Sequence, residues 1–268
     1  MITSQSRRSG FFSELTTTLR HLKLAIDTKQ KIYVNWNKNN NLYYDSRYGE
    51  NVWEYYFNQI DKDFDPDEKN MVYGDYIPIT NIDGLNVRET FSFLYKNYIT
   101  LNDATKKLID EATLNIDENI LGVHIRKTDK YLASSFGEPM SYPVSDEFYF
   151  KHINKKLETY SKIYLATDCS QTYARYKELY GDLIIDNEKK RGFGIYALHT
   201  NNSEDGYLKG LECLIESYAL SKCGFLIRAT SNLSSFSMFL NTSIECENMN
   251  EIYKNDNREH EFNIISKK

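Results

Sequence analysis

The second half of the chain predicts an α/β fold with parallel strands. Short apolar runs alternate there with helical patterns, and the strands end in polar loops. Ile120, Leu121, Val123 and Ile125 form the first run, a buried strand that feeds straight into Arg126-Lys127-Thr128-Asp129-Lys130. Ser145, with Asp146 and Glu147 behind it, has the make-up of an N-cap with first-turn acids. It opens a helix whose apolar stripe includes Phe148, Phe150, Ile153 and Leu157. Ile163-Tyr164-Leu165-Ala166 is a second strand, delivering Thr167 and Asp168 at its carboxyl end. A helix from about Gln171 to Leu179, stopped near Gly181, leads to a third strand at Leu183-Ile184-Ile185. Leu208, Leu211, Leu214, Ile215, Tyr218 and Ala219 recur at helical spacing, closed by Cys223-Gly224. Phe225-Leu226-Ile227 is the next strand and terminates in Thr230-Ser231-Asn232. This cadence implies parallel strands joined by right-handed crossovers, with ligands beyond the carboxyl ends of the strands.

The first hundred residues are less periodic. Leu15 to Ile26 reads as an amphipathic helix, preceded by a loop, Arg7 to Ser13, and followed by a strand, Ile32-Tyr33-Val34. Asp61 to Glu68 reads as a solvated acidic turn, and Thr105 to Ala112 as a helix capped by Asn102 or Asp103. The boundary between the two halves falls near residue 117, with an N-terminal α/β domain over 1–117 and a second domain over 118–268. Trp36, Trp53, Tyr55 and Tyr56 offer sugar-stacking faces, but buried core aromatics are the simpler account.

Composition limits the function. The 268 residues carry 33 Lys and Arg against 38 Asp and Glu, a formal net charge of -5, which argues against a sequence-independent grip on nucleic acid. No apolar run approaches the roughly 20 residues of a membrane span. The polar start, Met1 to Arg8, has no secretory h-region, so a cytoplasmic location is expected. The four cysteines, Cys169, Cys213, Cys223 and Cys246, form no C-x-x-C pair and no zinc spacing, and read as reduced thiols. Asp61-Lys62-Asp63-Phe64-Asp65 resembles a metal-binding acidic run but lacks the glycine and final glutamate of a calcium loop.

Two readings compete for Gly122 to Lys130. As an ordinary segment it is a strand ending in a solvated charged turn, with His124 a satisfied core histidine. As a site, Arg126 can donate bidentate hydrogen bonds to a diphosphate, Lys127 or Lys130 can add a point charge, and Asp129 can orient one of them.

His124-Ile125-Arg126-Lys127-Thr128-Asp129-Lys130 resembles the HxRRTDK signature of fucosyltransferases that attach α-1,6-linked fucose, including the nodulation-factor and core N-glycan enzymes. Tyr164 to Asp168 is similar to that family's YLATD motif. The stretch from Ser221 to Ile227, followed by Ser231-Asn232, resembles its third motif, and Ser9-Gly10-Phe11-Phe12-Ser13 its Gly-aromatic loop. The resemblance implies a GT-B-like fold of two Rossmann-like α/β domains and inverting, metal-independent transfer of L-fucose from GDP-fucose to a glycan hydroxyl. No cofactor is implied.

The same resemblance places Gly10, Phe11 and Phe12 in a loop closing over the nucleotide. It puts His124, Arg126 and Lys127 at the diphosphate, Asp129 and Lys130 at the fucose end, and Thr167 and Asp168 near the nucleotide. Ser231, Asn232, Ser234 and Ser235 would bind phosphate at a helix start. Arg126 would stabilise charge on the departing phosphate. Glu138, with Asp129 behind it, is the candidate base for the acceptor hydroxyl.

The sequence departs from the family pattern in several places. Lys127 stands for the second arginine, Cys169 for an aspartate, and Ser134 for an acid, while the strand before the Gly-aromatic loop is reduced to Met1-Ile2-Thr3. These departures keep two alternatives in view: a transferase using another nucleotide sugar, and a nucleotide-sugar-binding module without turnover.

Overall fold

In the computed structural model the apolar runs of the second half become neighbouring strands. The structure describes residues 1–62, 71–73, 77–128, 144–185, 189–193 and 205–255. The chain forms two units. One comprises Met1–Leu114, Asn201–Tyr218 and Phe236–Thr242, the other Asn115–Thr200, Ala219–Ser235 and Ser243–Lys268.

In the first unit, β1 (Ile2–Gln5) is the central strand of a three-stranded parallel sheet, flanked by β2 (Ile32–Asn35) and β3 (Met71–Tyr73). The reduced strand expected at Met1-Ile2-Thr3 is therefore a full strand. The helix expected from Leu15 starts earlier, as α1 (Phe11–Asp27).

The reason lies at its N-terminus, where Gly10 makes no side-chain cap. The Glu14 carboxylate instead accepts N–H bonds from Arg7 (3.0 Å) and Ser9 (2.7 Å), and the Phe11 N–H donates to the Tyr43 hydroxyl (2.8 Å). Helix donors and the incoming loop are thus satisfied by groups that no local cap pattern announces. The Phe11 ring is 2% exposed and packs edge-on against Trp36, Tyr43 and Tyr56. Phe12 stacks on Phe236. Trp36, Trp53, Tyr55 and Tyr56 are buried in the same aromatic core, as their simpler reading held. Each such ring contributes about 1.5–3 kcal/mol by leaving water.

Two further helices follow in the first unit. The helix α2 (Val87–Tyr98) carries a capping box in which Asn86 and Glu89 satisfy each other's backbone N–H. The next, α3 (Asp103–Ala112), is capped by Asn102.

The second unit is built on a five-stranded sheet in the order β6-β5-β4-β7-β8, parallel throughout. Its strands are β4 (Ile120–Ile125), β5 (Lys162–Thr167), β6 (Ile184–Ile185), β7 (Phe225–Arg228) and β8 (Glu245–Asn248). Ser145 caps α4 (Asp146–Lys156) by accepting the Phe148 N–H, and α5 (Ser170–Tyr180) stops at Gly181, whose φ of 51° suits glycine. Two more helices, α6 (Gly206–Lys222) and α7 (Asn232–Leu240), precede β7 and β8.

Leu121, Val123, Ile125, Ile163, Leu165, Phe225 and Ile227 form one apolar core with Tyr149, Ile153 and Tyr176. The turn into β7 needs Gly224, because a Cβ there would stand 2.0 Å from the Glu118 carbonyl oxygen. No described helix is long and apolar enough to cross a membrane.

Candidate active site

The chain order within the second sheet reverses at β4. From this strand the sheet grows through β5 and β6 on one side, and through β7 and β8 on the other. A crevice beyond the carboxyl ends of the strands forms where such an order reverses. His124 and Arg228 pair across this point, and Ile125 pairs with Thr167 on the other side of β4.

Asp168 organises the loop after β4. Its carboxylate accepts the Lys127 backbone N–H (2.9 Å), pairs with the Arg126 guanidinium (3.1 Å) and accepts the Thr128 hydroxyl in a short hydrogen bond. Arg126 and Asp168 are 20% and 14% exposed at their side chains, so the pair sits at the rim of the sheet with the guanidinium partly open to solvent. One carboxylate binds three donors, and the guanidinium is held before any substrate arrives.

Lys127 faces elsewhere. Its ammonium contacts Asp146 (2.9 Å) and the Val144 carbonyl (3.1 Å), so it ties the strand end to the start of α4. Arg175 reaches the same turn through Asp146 (2.8 Å) and Glu147 (2.7 Å).

His124 is buried, and its Nδ1 has no hydrogen-bond partner. Burial, reinforced by the positive charges of Arg126, Arg228 and Lys189, pushes its pKa down to about 3. The imidazole is therefore neutral at physiological pH, and this has a measurable consequence for stability. The unfolded chain takes up a proton as pH falls below about 6.5, while the folded chain resists until about 3. Between these values stability is expected to fall as pH falls, with this residue contributing a slope of up to about 1.4 kcal/mol per pH unit. Above pH 6.5 it contributes none. Urea unfolding of wild type and His124→Asn between about pH 4 and 7 checks this. Equal slopes would show that the histidine is not held neutral.

On the other side of β4, the Ala229 N–H donates to the His124 carbonyl (2.9 Å). The first turn of α7 is built by Ser231, whose hydroxyl accepts the Leu233 N–H (3.3 Å), and by Ser234, fully buried, whose hydroxyl donates to the Ala229 carbonyl (2.8 Å). Arg228 donates from one guanidinium nitrogen to Ser234 (3.3 Å) and Ser235 (3.4 Å). Asn232 is exposed at the helix start.

The structure thus brings Arg126, Lys127, His124, Thr167, Asp168, Ser231, Asn232, Ser234 and Ser235 to the carboxyl edge of one sheet. Gly10, Phe11 and Phe12 belong to the other unit, with both rings buried. Asp129, Lys130 and Glu138 lie outside the described residues, as does most of the acidic turn from Asp61 to Glu68. Cys169 is buried, and its backbone caps α5. The four cysteines are free thiols. Sequence reasoning missed Arg228, which ends the apolar run Phe225-Leu226-Ile227. The available signal was a charged residue following an apolar strand, the pattern already noted at Arg126.

This is a GT-B-like α/β fold with polar and cationic groups gathered at the carboxyl edge of a parallel sheet. Among solved structures it is similar to the α-1,6-fucosyltransferase NodZ soaked with GDP-fucose, at 17% identity and a TM-score of 0.53 over 89% of this chain and 91% of that one. It is similar also to NodZ co-crystallised with GDP (16% identity, TM-score 0.53, 91% and 92% coverage) and to fucosyltransferase NodZ from Bradyrhizobium (16%, 0.54, 91% and 92%). No family model matches the chain.

Proposed function

We propose that this chain is an inverting, metal-independent fucosyltransferase that moves L-fucose from GDP-fucose to a hydroxyl of a glycan acceptor. The observation that carries the reading is the Arg126–Asp168 pair (3.1 Å) at the strand-order reversal of a fold shared with NodZ structures that bind GDP-fucose and GDP.

The chemistry needs a positive group where charge develops. As the acceptor oxygen attacks C1 of fucose, the bond from C1 to the β-phosphate oxygen breaks and its electron pair leaves with GDP. A preorganised guanidinium stabilises that charge better than water, because it need not reorient. Arg126 serves this step, with His124, Thr167, Asp168 and the first turn of α7 shaping the diphosphate and nucleotide side. Glu138, with Asp129 behind it, accepts the acceptor proton, and Lys130 neighbours the sugar. Attack opposite the leaving diphosphate inverts the anomeric centre.

Calorimetric titration with GDP, UDP and ADP, followed by assay of GDP-fucose turnover with and without glycan, tests this. GDP binding and slow fucose release without acceptor are expected. Binding of UDP but not GDP would assign a different nucleotide sugar, and GDP binding with no fucose release or transfer would mark a module without turnover.

A further inference from the structure

Among the cations at the carboxyl edge of the second sheet, Arg228 has an unusual electrostatic setting. Arg126 is paired with Asp168, Lys127 with Asp146, and Arg175 with Asp146 and Glu147. Arg228 makes no ion pair with a carboxylate among the described residues. Its guanidinium donates to two neutral serine hydroxyls at 3.3 and 3.4 Å, and its Nε is buried without a hydrogen-bond partner. A guanidinium is permanently charged, and leaving it partly desolvated with no counter-charge is unfavourable. Such an arrangement is relieved by an anion.

The position suits one. Arg228 is the last residue of β7 and pairs in register with His124 at the strand-order reversal. Its side chain lies against the first turn of α7, whose backbone N–H groups and dipole add to the positive field. Arg126 directly follows β4, two residues beyond His124, and Arg228 lies opposite His124 on β7, so both arginines emerge from adjacent strand ends.

We infer that Arg228 binds the donor's diphosphate and supplies, from β7, the second guanidinium of a site whose first is Arg126. The inference rests on the donor being a nucleoside diphosphate sugar. It also accounts for Lys127, whose ammonium is held by Asp146 and the Val144 carbonyl and acts as a tether for α4. A lysine suffices there because no bidentate contact is asked of it.

The test titrates the full chain, Arg228→Gln and Arg228→Lys with GDP and with inorganic pyrophosphate over a range of salt concentrations, with thermal melting as the folding control. Arg228→Gln is expected to weaken both ligands by about tenfold to a hundredfold. The salt dependence should become shallower, because one charge is gone. Arg228→Lys keeps the charge and the salt dependence but loses the fork, and should fall between the two; it carries the test if the glutamine variant fails to fold. GDP affinity within twofold of wild type in either folded variant overturns the inference and leaves the fucosyl reading standing. A weaker affinity with unchanged salt dependence in Arg228→Gln shows a packing role and overturns it too. Wild type binding pyrophosphate through Arg228 but not GDP overturns the fucosyl reading and keeps the anion site, whereas wild type binding neither overturns both.

Discussion

Arg126→Ala is expected to lower fucose transfer by about a hundredfold to a thousandfold, the usual loss when one preorganised donor to developing charge is removed. The effect should fall mainly on kcat, since the guanidinium matters most when the leaving phosphate gains charge, and less on donor affinity. The fold should survive. Without the guanidinium, Asp168 still accepts the Lys127 N–H and the Thr128 hydroxyl, so its charge is not left without donors. Melting within a few degrees of wild type is the control, and steady-state kinetics with GDP-fucose is the readout. Arg126→Lys should recover part of the loss, because an ammonium keeps the charge but not the planar fork. Near-normal turnover in a folded Arg126→Ala protein would remove Arg126 from the chemistry.

Asp168→Ala should damage both stability and turnover. It removes one carboxylate from three donors, leaving Arg126 without this ion pair and the Lys127 N–H and Thr128 hydroxyl without this acceptor. Breaking a fully buried pair on one side costs about 3–5 kcal/mol; since this pair is partly exposed, about 2–3 kcal/mol is the expected loss. Turnover should drop towards the level of Arg126→Ala, because an arginine released from its clamp spends less time where the phosphate charge develops. Asp168→Asn tests the charge separately from the shape. Urea unfolding gives the stability, and a double-mutant cycle with Arg126→Ala gives the coupling, expected at about 0.5–3 kcal/mol. Additive effects on turnover would show that Asp168 does not act through Arg126.

What could be read in the chain follows from burial. The strands β4, β5 and β7 lie inside a parallel sheet covered on both faces, so their sequences are nearly continuous apolar runs. At the sheet edge, β8 reads Glu-Cys-Glu-Asn and has no such signal; its strand character comes from pairing with β7. The short β3 is likewise defined by its pairing with β1. The helix α2 is not among the elements expected from the sequence, because its helical stripe is weak and includes the exposed Val87 and Phe93.

The candidate site divides in the same way. Arg126 was visible because it follows an apolar run directly, and Asp168 because it follows one with a single Thr167 between; a strand delivers such residues to a predictable edge. Arg228 follows a run just as directly, yet its importance depends on facing His124, and that needs the sheet order. Phe11 and Phe12 looked like loop aromatics until the Tyr43 hydroxyl, 32 positions away, supplied an acceptor for the first turn of α1.

By itself, the order of apolar and polar residues determined which segments are strands, that they run parallel, and which charged groups emerge at their carboxyl ends. The tertiary structure decided which of those ends are neighbours, and so which cations are already matched by a carboxylate. Alternation is a local property, set by whether each side chain meets water or core. Charge compensation acts over a few ångströms between residues 19 to 42 positions apart, and only the folded chain brings them that near.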